Sequence, residues 1–177
     1  MNPPLARAFY LRPPVQVARE LLGKILSFEN ASGRIVETEA YLSEDDDAAH
    51  SARGITPRTR VIFGEPGHAY IYFIYGMYDC LNIVCEPEGI AGCVLIRALE
   101  PISGLNGLAN GPGKLTRAMG IKIAHNGVDV TKGPITIHAP EENEPFEIAI
   151  SARIGITKSA DLPLRFFIKG NRSVSRR

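Results

Sequence analysis

Tryptophan is absent from this chain, and only three of its 177 residues are cysteines: Cys80, Cys85 and Cys93. An odd count argues against a disulfide framework, and no C-x-x-C pair is present to begin a zinc site. All three lie in apolar, strand-like stretches, so buried reduced thiols are expected. A cysteine nucleophile would want an exposed, electropositive seat instead. No apolar run approaches the roughly 20 residues that span a bilayer. The opening Met1-Asn2-Pro3-Pro4-Leu5-Ala6-Arg7 has no apolar core for a secretory signal. The expectation is a cytoplasmic protein with no membrane contact. Several chemistries also lack their signatures: H-E-x-x-H, H-x-E…P-C-x-x-C, G-x-S-x-G, a Gly-rich dinucleotide loop and the P-loop are all missing.

Charge of one sign is lacking as well, the net value being +1. The distribution is less even. Residues 61–100 carry one basic residue against five acidic ones, and residues 165–177 carry five basic residues (Arg165, Lys169, Arg172, Arg176, Arg177) and no acid. A locally basic segment can form a phosphate-binding face on a nearly neutral protein, although a solvated tail explains it equally well. The length suits one well-cored domain over residues 1–177, burying roughly 70% of the unfolded chain's surface.

Proline and glycine punctuate the elements. Pro13-Pro14, then Val15–Leu22 and Gly23, read as a short helix. Lys24–Glu29 and Arg34–Tyr41 read as strands joined by a turn at Asn30-Ala31-Ser32-Gly33. Glu44–Ala49 is a charged helix or loop, and Thr56-Pro57 opens another short helix. His68–Tyr75 and Asp79–Cys85 form a hairpin bent at Gly76-Met77, and the apolar Cys93–Leu99 is a central strand. Gly111-Pro112-Gly113 leads into a helix from Lys114 to about Met119. Short strands follow at Ile135–His138, Phe146–Ile150 and Phe166–Lys169. Without regular strand–helix alternation, the class is α+β: a curved antiparallel sheet, short peripheral helices and a protruding hairpin.

The stretch Arg34–Tyr41 carries the first chemical signal. Alternation puts Val36, Thr38 and Ala40 on one face and Glu37, Glu39 and Tyr41 on the other. Two carboxylates sharing a face repel each other, so the face is either solvated or enclosed with cations. Arg97, in an apolar strand, needs a carboxylate partner, which Glu37 or Glu39 can supply, with Glu86 and Glu100 as plainer alternatives. Asn82, also in an apolar strand, is a satisfied core amide or faces a cleft. Four of the six tyrosines fall within residues 70–78. Strand clusters of this kind are usually core, but Tyr75, at a tight protruding turn, has nothing to bury it. Gly111-Pro112-Gly113-Lys114 combines exposed amides, a helix start and a lysine, a weak phosphate signal taken alone.

Taken together, Glu37-Thr38-Glu39-Ala40-Tyr41, His50-Ser51, Tyr70–Asn82 (Y-I-Y-F-I-Y-G-M-Y-D-C-L-N), Val94–Pro101 (V-L-I-R-A-L-E-P) and Gly111–Leu115 (G-P-G-K-L) resemble the alkyladenine (3-methyladenine) DNA glycosylase family. Arg153-Ile154-Gly155-Ile156 and Arg165–Gly170 resemble its C-terminal blocks. The resemblance spans nearly the whole chain in order. It departs at a longer 86–92 loop, a shorter 50–56 segment and the missing N-terminal extension of the mammalian proteins. It implies Glu39 as the carboxylate that activates water, helped by Arg97 and the Ile154 carbonyl. Tyr41, His50 and Tyr72 would wall the flipped base, and Asn82 would clash with the 2-amino group of guanine. Tyr75 would be the wedge in the duplex with Met77 beside it, and Thr56, Arg58, Arg60 and Lys114 would touch the DNA backbone.

The implied partner is double-stranded DNA containing damaged purines (3-methyladenine, 7-methylguanine or hypoxanthine). The chain would act as a monomer, without a metal or organic cofactor. Because no lysine lies in the Glu39 or Tyr72 motifs, simple hydrolysis to an abasic site is expected. Two other classes remain open at this point. A non-catalytic nucleic-acid or purine binder would need no positioned water, and a free-nucleoside hydrolase would have no use for Tyr75.

Overall fold

The computed structural model describes residues 2–175; Arg176 and Arg177 of the basic segment lie outside them. Pro14 begins helix α2 (Pro14–Leu21) in the first turn, where its missing N–H leaves no bond unmade. Val17, Ala18 and Leu21 form the buried stripe of α2. Gly23, just beyond, takes φ +82°, the left-handed region that favours glycine. A single turn before it, α1 (Arg7–Tyr10), is too short for any period to register in the sequence.

Strand β1 (Ile25–Phe28) passes into the eleven-residue β2 (Ala31–Tyr41). The expected turn at 30–33 is displaced. The loop closes over Glu29-Asn30 alone, with Phe28 opposite Ala31 and Glu29 at φ +52°. Two-residue hairpin loops match the twist of their strands, so Ala31, Ser32 and Gly33 join the ladder.

The remaining strands are β3 (Ala69–Ile74), β4 (Tyr78–Val84), β5 (Cys93–Ser103), β6 (Ile135–His138), β7 (Ile148–Ser151) and β8 (Arg165–Ile168). Every pairing is antiparallel. The curled sheet runs β3-β4-β5-β2-β1-β6, with β8 on β2 and β7 on β8. The architecture is the expected α+β, with β5 inside the sheet as anticipated. Strand β2 is the pivot. One edge carries β5 throughout; the other carries β1 on its first residues and β8 against Glu37–Glu39.

Alternation sorts the two faces. Val36, Ala40, Ile71, Leu81, Ile83, Val94, Ile96 and Ala98 belong to the main core, beneath α2 and α3 (Pro112–Met119). Thr38 joins them, its hydroxyl donating to the Ala18 carbonyl of α2 at 2.8 Å. Each fully buried isoleucine or leucine there contributes roughly 1.5–3 kcal/mol. Their strand neighbours face the other way and build the site.

Two expected local structures differ. Thr56-Pro57 does not start an α-helix. Instead, Thr56 and Thr59 exchange hydroxyl–amide bonds of 2.8 and 3.1 Å, and a 3₁₀ turn at Arg60–Phe63 follows. Such local side-chain bonds compete with helical ones. Residues 44–49 form a loop rather than a helix, because Asp46 accepts the backbone N–H groups of Leu42 and Ala48. No helix among the described residues is long and apolar enough to cross a membrane.

Candidate active site

The β3–β4 hairpin turns at Tyr75-Gly76, both at positive φ (+54° and +67°), with the Met77 N–H donating to the Ile74 carbonyl. Paired positive φ is the mark of the tight turns whose twist suits a hairpin. The consequence is a projecting tip: Tyr75 is 77% exposed, with Met77 and Phe73 also exposed beside it.

Below the tip, the face of the sheet opposite the helices lines a cavity of about 500 Å³. Tyr70 and Tyr72 come from β3, Cys80 and Asn82 from β4, Cys93, Leu95 and Arg97 from β5, and Tyr41 from β2. His50, the start of α3 with Lys114, and the loop at Ile154 complete the wall. The volume falls within the range of pockets that take small organic groups. The aromatic members pack against one another. His50 meets Tyr72 edge-on at 4.5 Å between ring centroids, and Tyr70 lies 5.7 Å from Tyr72. His50 Nδ1 also shares a 2.9 Å hydrogen bond with the Tyr70 hydroxyl. Burial, then the nearby Arg58 charge, lowers the imidazole to about 4, so His50 is neutral near pH 7. Burial also raises the cysteines, Cys93 up to about 12; all three are buried free thiols, as expected.

Asn82 is a satisfied amide that also faces the cleft: its Nδ2 donates to the Tyr70 carbonyl at 3.1 Å, and the Cys93 thiol approaches its Oδ1 at 3.9 Å. Arg97 follows the alternation that puts Cys93 and Leu95 on the cavity face, and a β-bulge sets its position along β2. Glu37 stands opposite Ala98 and Thr38 opposite Ile96, leaving Arg97 as the extra residue of β5. With no residue of β2 directly opposite, Arg97 reaches both carboxylates, Nε lying 2.9 Å from Glu37 and Nη1 3.3 Å from Glu39.

Those carboxylates are fully buried, which overturns a solvated strand face. Glu37 is saturated. Its Oε1 accepts Arg97 Nε at 2.9 Å, Arg165 Nε at 2.7 Å and the Ser175 hydroxyl at 2.8 Å, while Oε2 accepts the Ser175 N–H at 2.7 Å. Burial alone would raise its pKa, but the two guanidiniums and the Ser175 N–H outweigh it and hold the carboxyl below its ordinary value. Glu39 differs. Its Oε1 accepts the Ile154 N–H at 2.8 Å with Arg97 Nη1 at 3.3 Å, and its Oε2 accepts the Tyr41 hydroxyl at 3.0 Å. For Glu39 burial wins: desolvation, reinforced by the Glu37 charge, raises the carboxyl above its ordinary value despite Arg97 and the Ile154 N–H. Burial and the Glu39 charge in turn keep the Tyr41 hydroxyl protonated, as the donor it must be.

The sequence-expected residues therefore divide by position. Tyr41, His50, Tyr72, Tyr75, Asn82, Arg97, Lys114 and Ile154 all line the cavity. Glu39 stands directly behind its wall, touched by three of those residues. Arg58 is exposed beside it, its guanidinium carbon 5.3 Å from the Tyr72 ring centroid. Thr56, Arg60 and Met77 are exposed outside the lining. The basic C-terminal segment divides as well: Arg165 turns inward to Glu37, and Lys169 pairs with Glu147 at 2.8 Å. Sequence reasoning missed Ser175, the inward role of Arg165, and the Tyr70 hydroxyl on His50. It also missed the Asp46–Arg153 ion pair of 2.6 Å. Asp46 stands in a run of four acids, Glu44-Asp45-Asp46-Asp47, and nothing in the sequence marks which of them turns inward to Arg153.

Comparison with known proteins supplies the class. The sequence model of the Methylpurine-DNA glycosylase family matches residues 8–172. A relative from Methanoculleus marisnigri is 49% identical, over 98% of this chain and 99% of its own length. Relatives from Bradyrhizobium diazoefficiens (45%; 99% and 92%) and Legionella pneumophila strain Lens (47%; 97% and 98%) are similar over comparable shares. All three bear the name "Putative 3-methyladenine DNA glycosylase". The protein is an enzyme of the monofunctional DNA glycosylase class. The chain belongs to the methylpurine-DNA glycosylase family.

Proposed function

We propose that the protein flips alkylated or deaminated purines (3-methyladenine, 7-methylguanine, hypoxanthine) from duplex DNA into the 500 Å³ cavity. There a water activated by Glu39 hydrolyses the N-glycosidic bond and leaves an abasic site. The observation that carries this reading is Glu39 itself. It is a buried carboxylate of raised proton affinity, fixed on both oxygens by groups that line an aromatic-walled pocket.

Chemistry on a paired base requires its extrusion, at a cost of a few kcal/mol. Tyr75, with Met77 beside it, fills the gap left in the stack, as apolar wedges do. Tyr41, His50 and Tyr72 stack on the extruded base, worth roughly 1–3 kcal/mol per base. An electron-poor alkylated purine gains more from those rings, by the logic of cation–π attraction. Neutral His50 adds no positive charge against it. Asn82 rejects the 2-amino group of guanine. Lys114 at the mouth, with Thr56, Arg58 and Arg60 along the rim, contacts phosphates.

Each carboxylate oxygen has two lone pairs, so the Tyr41 hydroxyl leaves Oε2 able to accept a proton from water. Arg97 and the Ile154 carbonyl hold that water. As the sugar gains oxocarbenium character, the Glu39 charge stabilises it and the purine leaves with its bonding electrons. The whole chain acts as one domain and as a monomer, in the cytoplasm, without a metal or organic cofactor.

Duplexes carrying each lesion, assayed for free base, test the proposal. The wild-type protein should release base, while Glu39→Gln should bind lesion DNA and release none. Robust turnover by Glu39→Gln would sink the mechanism. Wild-type binding without release would favour a non-catalytic binder on this scaffold.

A further inference from the structure

We propose that the buried Asp46–Arg153 pair is a positioning device for Glu39, holding both of that carboxylate's uncharged donors through one guanidinium. The inference rests on Glu39 being the base. Arg153 forks onto Asp46, with Nη1 2.6 Å from Oδ2 and Nη2 2.7 Å from Oδ1, and both side chains are fully buried. Its remaining bonds go to backbone. Nη1 donates to the Ala40 carbonyl at 3.1 Å, between Glu39 and Tyr41, and Nη2 donates to the Ser159 carbonyl at 3.2 Å. Its guanidinium carbon lies 4.6 Å from the centroid of the Tyr41 ring.

Both uncharged donors to Glu39 thus hang on this group. Tyr41, which bonds Oε2, is held by the stacked guanidinium. Ile154, which bonds Oε1, is the next residue in the chain. Ile154 sits in no strand or helix, since β7 ends at Ser151 and β8 begins at Arg165. Its amide is aimed by the anchoring of Arg153. Asp46 is fixed in turn by the N–H groups of Leu42 and Ala48.

Such a pair is a poor means of simple stabilisation, because desolvating two charges offsets most of their attraction. What the bidentate fork supplies is direction. Among the described residues Arg153 Nε has no hydrogen-bond partner although buried, so the network is not arranged for the greatest number of bonds.

The charged and titratable groups around Glu39 are Glu37 and Tyr41 from β2, Arg97 from β5, and Arg153 from the loop after β7; Arg165 of β8 acts through Glu37. Loosening the Ile154 N–H removes an interaction that lowers the Glu39 pKa. The acid limb of the rate profile should therefore move to higher pH.

The test is single-turnover base release from hypoxanthine duplex by wild type, Asp46→Asn, Arg153→Lys and Glu39→Gln, with affinity for the same duplex measured alongside. Asp46→Asn keeps shape and removes charge; Arg153→Lys keeps charge and removes the fork. Each should slow release by about tenfold, the worth of one well-made hydrogen bond. Affinity should stay within about twofold, and the acid limb of Arg153→Lys, which leaves the local charge unchanged, should shift upward. Asp46→Glu, which restores the charge, should recover part of the rate. If Asp46→Asn does not fold, Arg153→Lys decides alone. Wild-type rates, or slower rates with an unmoved acid limb, would overturn the positioning role. Turnover by Glu39→Gln would instead remove the base assignment, whatever the other variants do.

Discussion

Replacing Glu37 with glutamine keeps the shape of the side chain and removes the charge that Arg97 and Arg165 share. In the wild type Glu37 is fully buried and accepts bonds from both guanidiniums and from Ser175. A glutamine would present an NH₂ group to donors already there, leaving two buried cations of which Arg97 has Glu39 beside it and Arg165 the Ser151 hydroxyl. Breaking a buried pair in this way costs about 3–5 kcal/mol, against a whole-domain stability of about 5–15 kcal/mol. For a chain of this size each kcal/mol moves Tm by about 2–4 °C, so the midpoint should fall by about 6–20 °C. Urea unfolding at pH 7 should show a lower midpoint with unchanged slope. The acid dependence adds a signature. Because the folded-state pKa is depressed, the Glu37 contribution is complete above the unfolded value of about 4.3 and drains as pH falls through the lower folded-state value. The gap between wild type and Glu37→Gln should therefore be widest near neutrality and narrow below about pH 4. A variant within about 1 kcal/mol of wild type at pH 7 would refute the reasoning.

Two further outcomes follow from the site. Tyr75→Ser should leave Tm unchanged, because the ring is 77% exposed, yet weaken binding to an abasic-site duplex by about tenfold, for a lost stacking contact of ~1–3 kcal/mol; unchanged binding would remove the wedge role. His50, held near 4 by burial and the Arg58 charge, should give no inflection near pH 6.5 in the rate profile or in its imidazole NMR shifts. An NMR titration centred near 6.5 would show that the enclosure is wrong.

The hairpin and its tip were legible in advance because the code for them is local: alternating apolar and aromatic residues around a glycine at positive φ. The face shared by Glu37, Glu39 and Tyr41 was equally legible, since alternation needs only neighbours. Alternation could not separate the two glutamates. The difference lies in partners remote in sequence: Glu37 takes four bonds, from Arg97, Arg165 and Ser175, while Glu39 has only the Tyr41 hydroxyl on Oε2 and keeps a lone pair there. The face of Arg97 was legible too, since Cys93, Leu95 and Arg97 alternate with the core residues Val94, Ile96 and Ala98; the bulge that sets it between both acids was not. Asp46 and Arg153 are 107 residues apart, and a run of four acids at 44–47 does not say which one will pair. Thr56-Pro57 misled because its cap chemistry is genuine but closes a turn instead of a helix.

The way the site gathers its parts also bears on how the protein is made. The carboxylates come from β2, their cations from β5 and β8, one donor from the loop at Ile154, and another from Ser175, 138 residues beyond Glu37. A nascent chain that has emerged only through β5 holds both acids, Tyr41 and Arg97, but lacks the Ile154 N–H, Arg165 and Ser175 that complete their anchoring. Non-local closures of this kind come late in folding. Hydrolytic competence should therefore arrive in one step, after translation has passed residue 175. Until then the growing polypeptide has no partly formed base-releasing site to act on the cell's own DNA.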